Sequence, residues 1–359
     1  MKTVHVVGVN IENADHIGYW NLYPFKFYNA QFKKAGFAIK RIHAQTCDQI
    51  MQAVSTLDNP EIIVFRPNWT EPAEAVISLS KKLREMHPNT NIILADPFDQ
   101  TNSRFFGALP YLDALLKYQR LKNTQDYLKI YEKGAYALDR LAKDAGITAN
   151  KEWDLSSEVE PGQEGKIVTG SFVVEPTLIK QSFSKFYQWR ISRTKKDIDI
   201  FCHISCGERG APDWYGKHRL DAIEKLQSIN GYNVSIGAEY AGEDRLSRRE
   251  YVSRLRRAKI IFAPLGWGEV TMRPYEAAAN KCLLIQPDVS HMDIFPNIFM
   301  PNKTYIPVKW DLSDLVEKCT YYLEHEQERA EIAENALIQL KNEYLSERFV
   351  KSCISLLES

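Results

Sequence analysis

The chain has no excess of either charge: 46 Lys and Arg stand against 46 Asp and Glu, so the formal net charge at neutral pH is zero. Proteins that grip nucleic acid normally show a basic surplus, so no nucleic-acid partner is expected. Long apolar runs are also missing. No window approaches the roughly 18 apolar residues of a membrane-spanning helix. The opening "MKTVHVVGVN" holds an apolar run of only about six residues, shorter than a secretion leader needs. The expectation is a cytoplasmic protein. Paired cysteines are lacking as well: Cys47, Cys202, Cys206, Cys282, Cys319 and Cys353 are scattered through mostly apolar segments. Such spacing points to reduced core thiols, not a disulfide framework. The one cluster, Cys202, His203 and Cys206 in "FCHISCG", has no second ligand pair, so no metal site is expected.

What is present is ordinary globular material, 44% hydrophobic and 26% charged, enough for sizeable cores. The first half alternates in type. "TVHVVGV", "FAIKRIHA", "EIIVFRP" and "NIILADP" read as buried strands. Between them, 25–36 reads as a helix ending at Gly36, and a periodic stripe follows Thr70 and Pro72, with Thr70 as the expected cap. Residues 111–147 read as helical and 156–165 as an acidic surface loop or linker. A second series then repeats the pattern: strands at 197–205, 231–238, 259–264 and 282–288, with helices between. Ser247 and Glu250 have capping-box spacing. The arginines of "RLSRREYVSRLRR" read as the solvated face of that helix, opposite Tyr251, Val252, Leu255 and Ala258. The tail, 311–358, reads as helical, with Ile332, Ala336, Leu337, Leu340 and Leu345 as its apolar stripe. Continuous apolar strands alternating with helices predict parallel sheets covered on both faces. The fold class is therefore α/β, with two Rossmann-like domains. We expect residues 1–175 to form an N-terminal domain, 176–330 a C-terminal one, and 331–359 a helical tail that packs back on the first domain. A cleft between two such units is the default ligand site.

The densest chemistry lies in "PLGWGEVTMRPYEAAANKCLLIQPD", residues 264–288. Gly266 and Gly268 would let the loop approach a ligand closely. Pro274 opens a helix whose N-terminus favours phosphate. Arg273 could grip a diphosphate with two parallel hydrogen bonds, and Glu276 could accept from vicinal hydroxyls. The same residues would also suit plain turn punctuation and a dipole-favoured first-turn glutamate.

The order Pro264, Gly266, Gly268, Arg273, Glu276, Ala277 before "LLIQPD" resembles the donor-binding segment of exostosin-like and related family-1-type glycosyltransferases, including the spore-maturation type. The resemblance covers roughly 198–290 and implies the two-domain GT-B fold. It implies that Glu276 holds the nucleotide ribose and Arg273 the diphosphate, and it adds Gly207, Arg209 and Arg219 as further donor contacts. Two departures stand out. Asn280 and Lys281 occupy the place where a glycine is usual, and six residues, not seven, separate Glu269 from Glu276. In this fold the N-terminal domain takes the acceptor, so its first loop, "NIENADHIGYWN", supplies the candidate bases His16 and Asp15. Asp96, Asp99 and Arg104 would reach the same side of the sheet.

The expected activity is transfer of a sugar from a nucleotide-sugar donor to a hydroxyl of a glycan, a lipid-linked intermediate or a small molecule. The donor is a co-substrate, and no cofactor or metal is required. A peripheral membrane contact is among the expected partners; the oligomeric state is open. A nucleotide-sugar epimerase or hydrolase, or a non-catalytic nucleotide-sugar binder, would share the fold.

Overall fold

A computed structural model describes residues 1–8, 17–131, 133–149, 154–170, 174–240, 242–243 and 245–358, with backbone only for 17–20 and 358. Strands β1 (Lys2–Gly8), β2 (Phe37–His43), β3 (Ile62–Phe65), β4 (Asn91–Ala95) and β5 (Ala114–Lys117) precede a short β6 (Gln119–Leu121) and β7 (Ile167–Thr169). The second series is β8 (Ile198–Ser205), β9 (Val234–Glu239), β10 (Ala258–Phe262), β11 (Leu283–Pro287), β12 (Met292–Ile294) and β13 (Ile306–Val308). They form one six-stranded sheet ordered β2-β1-β3-β4-β5-β7 and one five-stranded sheet ordered β13-β11-β10-β8-β9. Every pairing within these two sheets is parallel.

The two sheets share one topology. Counted from its own first strand, each runs 2-1-3-4-5, and the N-terminal sheet adds β7 at its edge. Strand order reverses beside the first strand, between β1 and β3 in one unit and between β8 and β10 in the other. Ligands of doubly wound sheets bind at that switch point, outside the carboxyl ends of the strands. The fold thus nominates two positions before any side chain is considered.

Three elements tie the units together. β6 pairs antiparallel with β12, from the other half of the chain. The helix Tyr136–Ala145 buries Ala137, Leu138 and Leu141 in an apolar cluster with Trp214, Leu265 and Trp310. The C-terminal helices Glu326–Leu345 and Arg348–Glu358 return to the first unit, as expected. There Phe349 meets Phe25 edge-on at 5.3 Å, and the Tyr28 hydroxyl donates to the Tyr344 carbonyl at 2.8 Å.

Several local expectations change. Residues 111–147 are not one helix: they contain β5, β6 and a helix only from Tyr136. The stretch "ALLKYQRL" has no β-branched residue and favours helix by propensity. Burial of β5 between β4 and β7 overrides that preference. Thr70 does not cap the following helix; Pro72, extended at ψ 143°, occupies the cap position. The helix expected over 25–36 is two, Ile17–Phe27 and Asn29–Lys34, before Gly36 at φ +91°. Leu345 is 67% exposed and falls off the tail's apolar stripe. The Ser247–Glu250 capping box is present with both reciprocal bonds.

Candidate functional site

The segment 264–288 supplies the carboxyl end of the C-terminal switch point. β10, paired with β8, ends at Phe262, and a loop leads from it to the helix Arg273–Ala279. Two guanidinium groups converge there. Arg273 Nη2 donates to the His203 carbonyl at 2.6 Å. Arg219, in the second turn of the helix Trp214–Gln227, donates from Nε to the Leu265 carbonyl at 2.8 Å and from Nη1 to the Ser205 carbonyl. Its guanidinium also lies 5.3 Å from the centre of the Tyr215 ring. Burial and the nearby Arg273 charge lower the Arg219 pKa to about 10. Like charges are thus held together on backbone carbonyls. Among the described residues no carboxylate lies within ion-pair distance of either.

Glu276 completes the cluster. Its Oε2 accepts from the Tyr251 hydroxyl at 2.8 Å, and the same hydroxyl lies 3.5 Å from Arg273 Nε. Burial pushes the Glu276 carboxyl up, against the pull of Arg273 and Tyr251. Burial opposes the Arg273 charge, but Tyr251, Cys202 and Glu276 together hold its pKa above the ordinary guanidinium value. The group is a fixed cation. His203 is held neutral, its pKa lowered to about 4 by burial and by Arg254 and Arg273.

The two loop glycines are explained by protein neighbours. A Cβ on Gly266 would meet Arg219 Nη2 at 2.7 Å, so this glycine makes the seat of that guanidinium. A Cβ on Gly268 would lie 1.9 Å from the Asp99 carbonyl oxygen, so this glycine lets the loop touch the N-terminal unit. The first-turn N–H groups of the helix Arg273–Ala279 are already occupied. Arg273 N lies 3.4 Å from Thr271 Oγ1, and Tyr275 and Glu276 donate to the Met272 carbonyl. The positive character of the site therefore comes from guanidinium groups more than from the helix end. Lys281 takes φ +51°, the left-handed conformation that the usual glycine would supply.

The remaining donor candidates separate. Gly207 adopts φ +80° in the loop after β8, facing Tyr215. Arg209 is an exposed residue paired with Glu243, Nη2 to Oε2 at 2.7 Å, and set over the Tyr240 ring. Cys202 and His203 alternate along β8 and so point to opposite faces of the sheet. Among the described residues no three His, Cys, Asp or Glu converge as metal ligands.

Across the seam lies the carboxyl edge of the N-terminal sheet. Glu269, which the motif spacing left without a role, joins the two units: Thr101 Oγ1 donates to Glu269 Oε1 at 2.7 Å, and Thr101 N to Oε2 at 3.2 Å. Gln119 Oε1 accepts from Val270 N at 3.1 Å. At this edge Lys117 and Asp96 form a buried ion pair, and Ser103 Oγ donates to Asp96 at 2.7 Å. Arg66, at the end of β3, is 1% exposed and donates from Nε to Asn21 at 3.1 Å. Asp99 lies beside them. Burial raises its carboxyl to about 6, while Arg66 and Lys117 restrain the rise. Arg104 is anchored elsewhere, on the Trp69 carbonyl at 2.7 Å and over the Phe98 ring. His16 and Asp15 lie outside the described residues.

Residues 218–354 match the family model described as glycosyl transferase-like. No curated protein matches the chain. Among solved structures, a glycosyltransferase from Rickettsia africae aligns over 99% of this chain and 98% of its own, at 11% identity and TM-score 0.51. Sucrose-phosphate synthase from Thermosynechococcus elongatus aligns over 100% and 98%, at 10% identity and TM-score 0.52. The α,α-trehalose 6-phosphate synthase from Burkholderia multivorans aligns over 99% and 96%, at 10% identity and TM-score 0.54. At these identities the likeness speaks to fold alone, and that fold is the paired Rossmann arrangement found here. Residues 218–354 thus resemble the glycosyl transferase-like family, and the chain as a whole has the two-domain GT-B fold of these enzymes.

Proposed function

We propose that Arg219 and Arg273 receive the diphosphate of the nucleotide-sugar donor and that Glu276 accepts from its ribose hydroxyls. The observation that carries this reading is the convergence of two guanidinium groups at a switch point with no carboxylate in contact. A diphosphate would supply the missing counter-charge and could bridge both groups with charge-assisted hydrogen bonds. Gly266 gives Arg219 the room it needs, and Gly207 shapes the facing loop. Arg209, already paired with Glu243, sits at the rim. Among family-1-type enzymes, the spacing of Arg273 and Glu276 favours the exostosin-like and spore-maturation branch.

The acceptor hydroxyl is proposed to arrive at the opposing edge, beside Asp99, with Asp15 or His16 as candidate base. A base there would take the hydroxyl proton as the new bond to the sugar forms and the diphosphate leaves with the electron pair. Acceptors of the glycan, lipid-linked and small-molecule classes all carry such a hydroxyl.

The decisive experiment is a thermal-shift panel of nucleoside diphosphates and their sugars, repeated on Glu276→Ala and Arg273→Ala. A ligand that binds the native state raises the melting temperature, and the panel reads base and sugar together. We expect a selective shift for one base in the wild type and its loss in both variants, which should remain folded and unfold cooperatively. Wild-type donor affinity in either variant would sink the assignment.

A further inference from the structure

A second surface has no part in the site just described. Between β7 and β8 the chain forms two short helices, Pro176–Phe183 and Lys185–Arg193. Residues 176–196, "PTLIKQSFSKFYQWRISRTKK", contain six Lys or Arg and no Asp or Glu, in a chain whose net charge is zero. The acids on either side are already neutralised. Glu175 pairs with Arg248 at 3.0 Å and Asp197 with Arg257 at 2.7 Å. The segment is therefore a local pool of uncompensated positive charge.

Its inner face is complete without Phe186 and Trp189. Leu178, Ile179 and Ile191 are buried, Tyr187 donates to Asn280 Oδ1 at 2.7 Å, and Gln188 donates to the Ala279 carbonyl at 3.0 Å. Phe186 and Trp189 point outward and are 68% and 50% exposed, and Phe183, 38% exposed, lies beside them with its ring 6.2 Å from that of Tyr344. The Phe186 and Trp189 rings stack at 6.0 Å and 18°, and the Arg193 guanidinium lies 4.2 Å from the Trp189 ring centre. Lys185 and Arg190 flank the stack and are also exposed. A lone exposed apolar residue needs no explanation. Two stacked aromatics set among cations, on the outer face of a helix whose inner face is already filled, do.

We infer that this face docks on an anionic phospholipid surface. Phe and Trp side chains settle at the headgroup boundary of a bilayer, where a ring meets apolar tails and its edge stays wet. The cations around them meet lipid phosphates, and each adds attraction to a negative leaflet. Among the described residues no helix is long and apolar enough to cross a membrane, so the contact is peripheral. This inference is independent of the donor-site reading, because none of its residues touches Arg219, Arg273 or Glu276.

The test is flotation of the full-length protein with phosphatidylcholine vesicles, with and without a one-third share of phosphatidylglycerol. The wild type is expected to float with the anionic vesicles and to release in high salt. Phe186→Ser with Trp189→Ser should abolish most of the binding. Lys185→Gln, Arg190→Gln and Arg193→Gln together should weaken it by roughly a hundredfold at low salt. Both variants should keep the wild-type melting temperature and the wild-type shift with nucleoside diphosphate, which separates this outcome from a failure of the donor site. No binding to anionic vesicles, or equal binding by the variants, overturns the proposal. So does wild-type self-association in sedimentation velocity that the aromatic variant loses, which would make the face an interface between copies.

Discussion

The carboxyl edges of the two sheets are built on the same 2-1-3-4-5 topology and meet at one seam, yet they handle charge in opposite ways. At the C-terminal edge, Arg219 and Arg273 stand side by side on backbone carbonyls without a carboxylate in contact. At the N-terminal edge, Lys117 is paired with Asp96, and Arg66 and Asp99 add one group of each sign. The first arrangement sets two cations against the single carboxyl of Glu276, linked to them through the Tyr251 hydroxyl. The second is balanced within itself. Identical strand order therefore fixes where ligands go and leaves their chemistry to the side chains.

The largest effect should come from unbalancing the balanced edge. Lys117→Met strands the Asp96 carboxylate in the core and should cost about 3–5 kcal/mol of stability, the usual penalty for half of a buried ion pair. Urea unfolding measures it, and a loss below 1 kcal/mol would show that water reaches Asp96.

The C-terminal edge should lose less stability and more affinity. Arg273→Ala removes repulsion with Arg219 but also the bond to the His203 carbonyl and the charge facing buried Glu276, so stability should fall by about 1–3 kcal/mol, while nucleoside diphosphate affinity falls by about 2–3 kcal/mol for the lost charged contacts. Calorimetry and melting on the same sample separate the two numbers.

Between the edges, Gly268→Ala forces a methyl group onto the Asp99 carbonyl. The expected cost is about 1–3 kcal/mol, taken up by parting of the two units at this contact. Small-angle scattering together with the melting temperature would reveal it, and an unchanged profile would break the picture of a seam closed at Gly268.

Asp99 sharpens the comparison by pH. Its folded pKa, about 6, lies above the ordinary carboxylate value, so the folded protein holds a proton that the unfolded chain releases earlier. Stability should fall as pH rises through the window from about 4 to 6, by on the order of 1–2 kcal/mol. Asp99→Asn should flatten that fall, and denaturation at two pH values within the window tests it. Arg209→Ala should do least. An exposed pair such as Arg209–Glu243 contributes about 0.5 kcal/mol or less, and donor affinity should change by less than about twofold.

Much of the fold was legible because buried parallel strands carry continuous apolar runs. "EIIVFRP", "KIIFAP" and "CLLIQPD" all stand where their continuous apolar runs put them. β5 was not, since "ALLK" satisfies helix and buried strand equally and only its neighbours choose. In the site, Arg273 and Glu276 could be read from spacing beside a helix start. The partners that orient them, Tyr251 and the His203 carbonyl, lie 22 and 70 residues away. Glu269 was visible only as a glutamate out of register, because its partner Thr101 is 168 residues distant.

Local order thus determined the alternation of strands and helices, the capping box at Ser247, the buried state of the thiols and the presence of cations and a carboxylate beside one helix. These follow from interactions within a few residues, which the chain carries wherever it folds. The convergence of Arg219 with Arg273, the closure of Gly268 on Asp99 and the poise of Asp99 near pH 6 were decided only in three dimensions. Burial and long-range Coulomb energy depend on which distant elements exclude water together, and no stretch of sequence contains that information by itself.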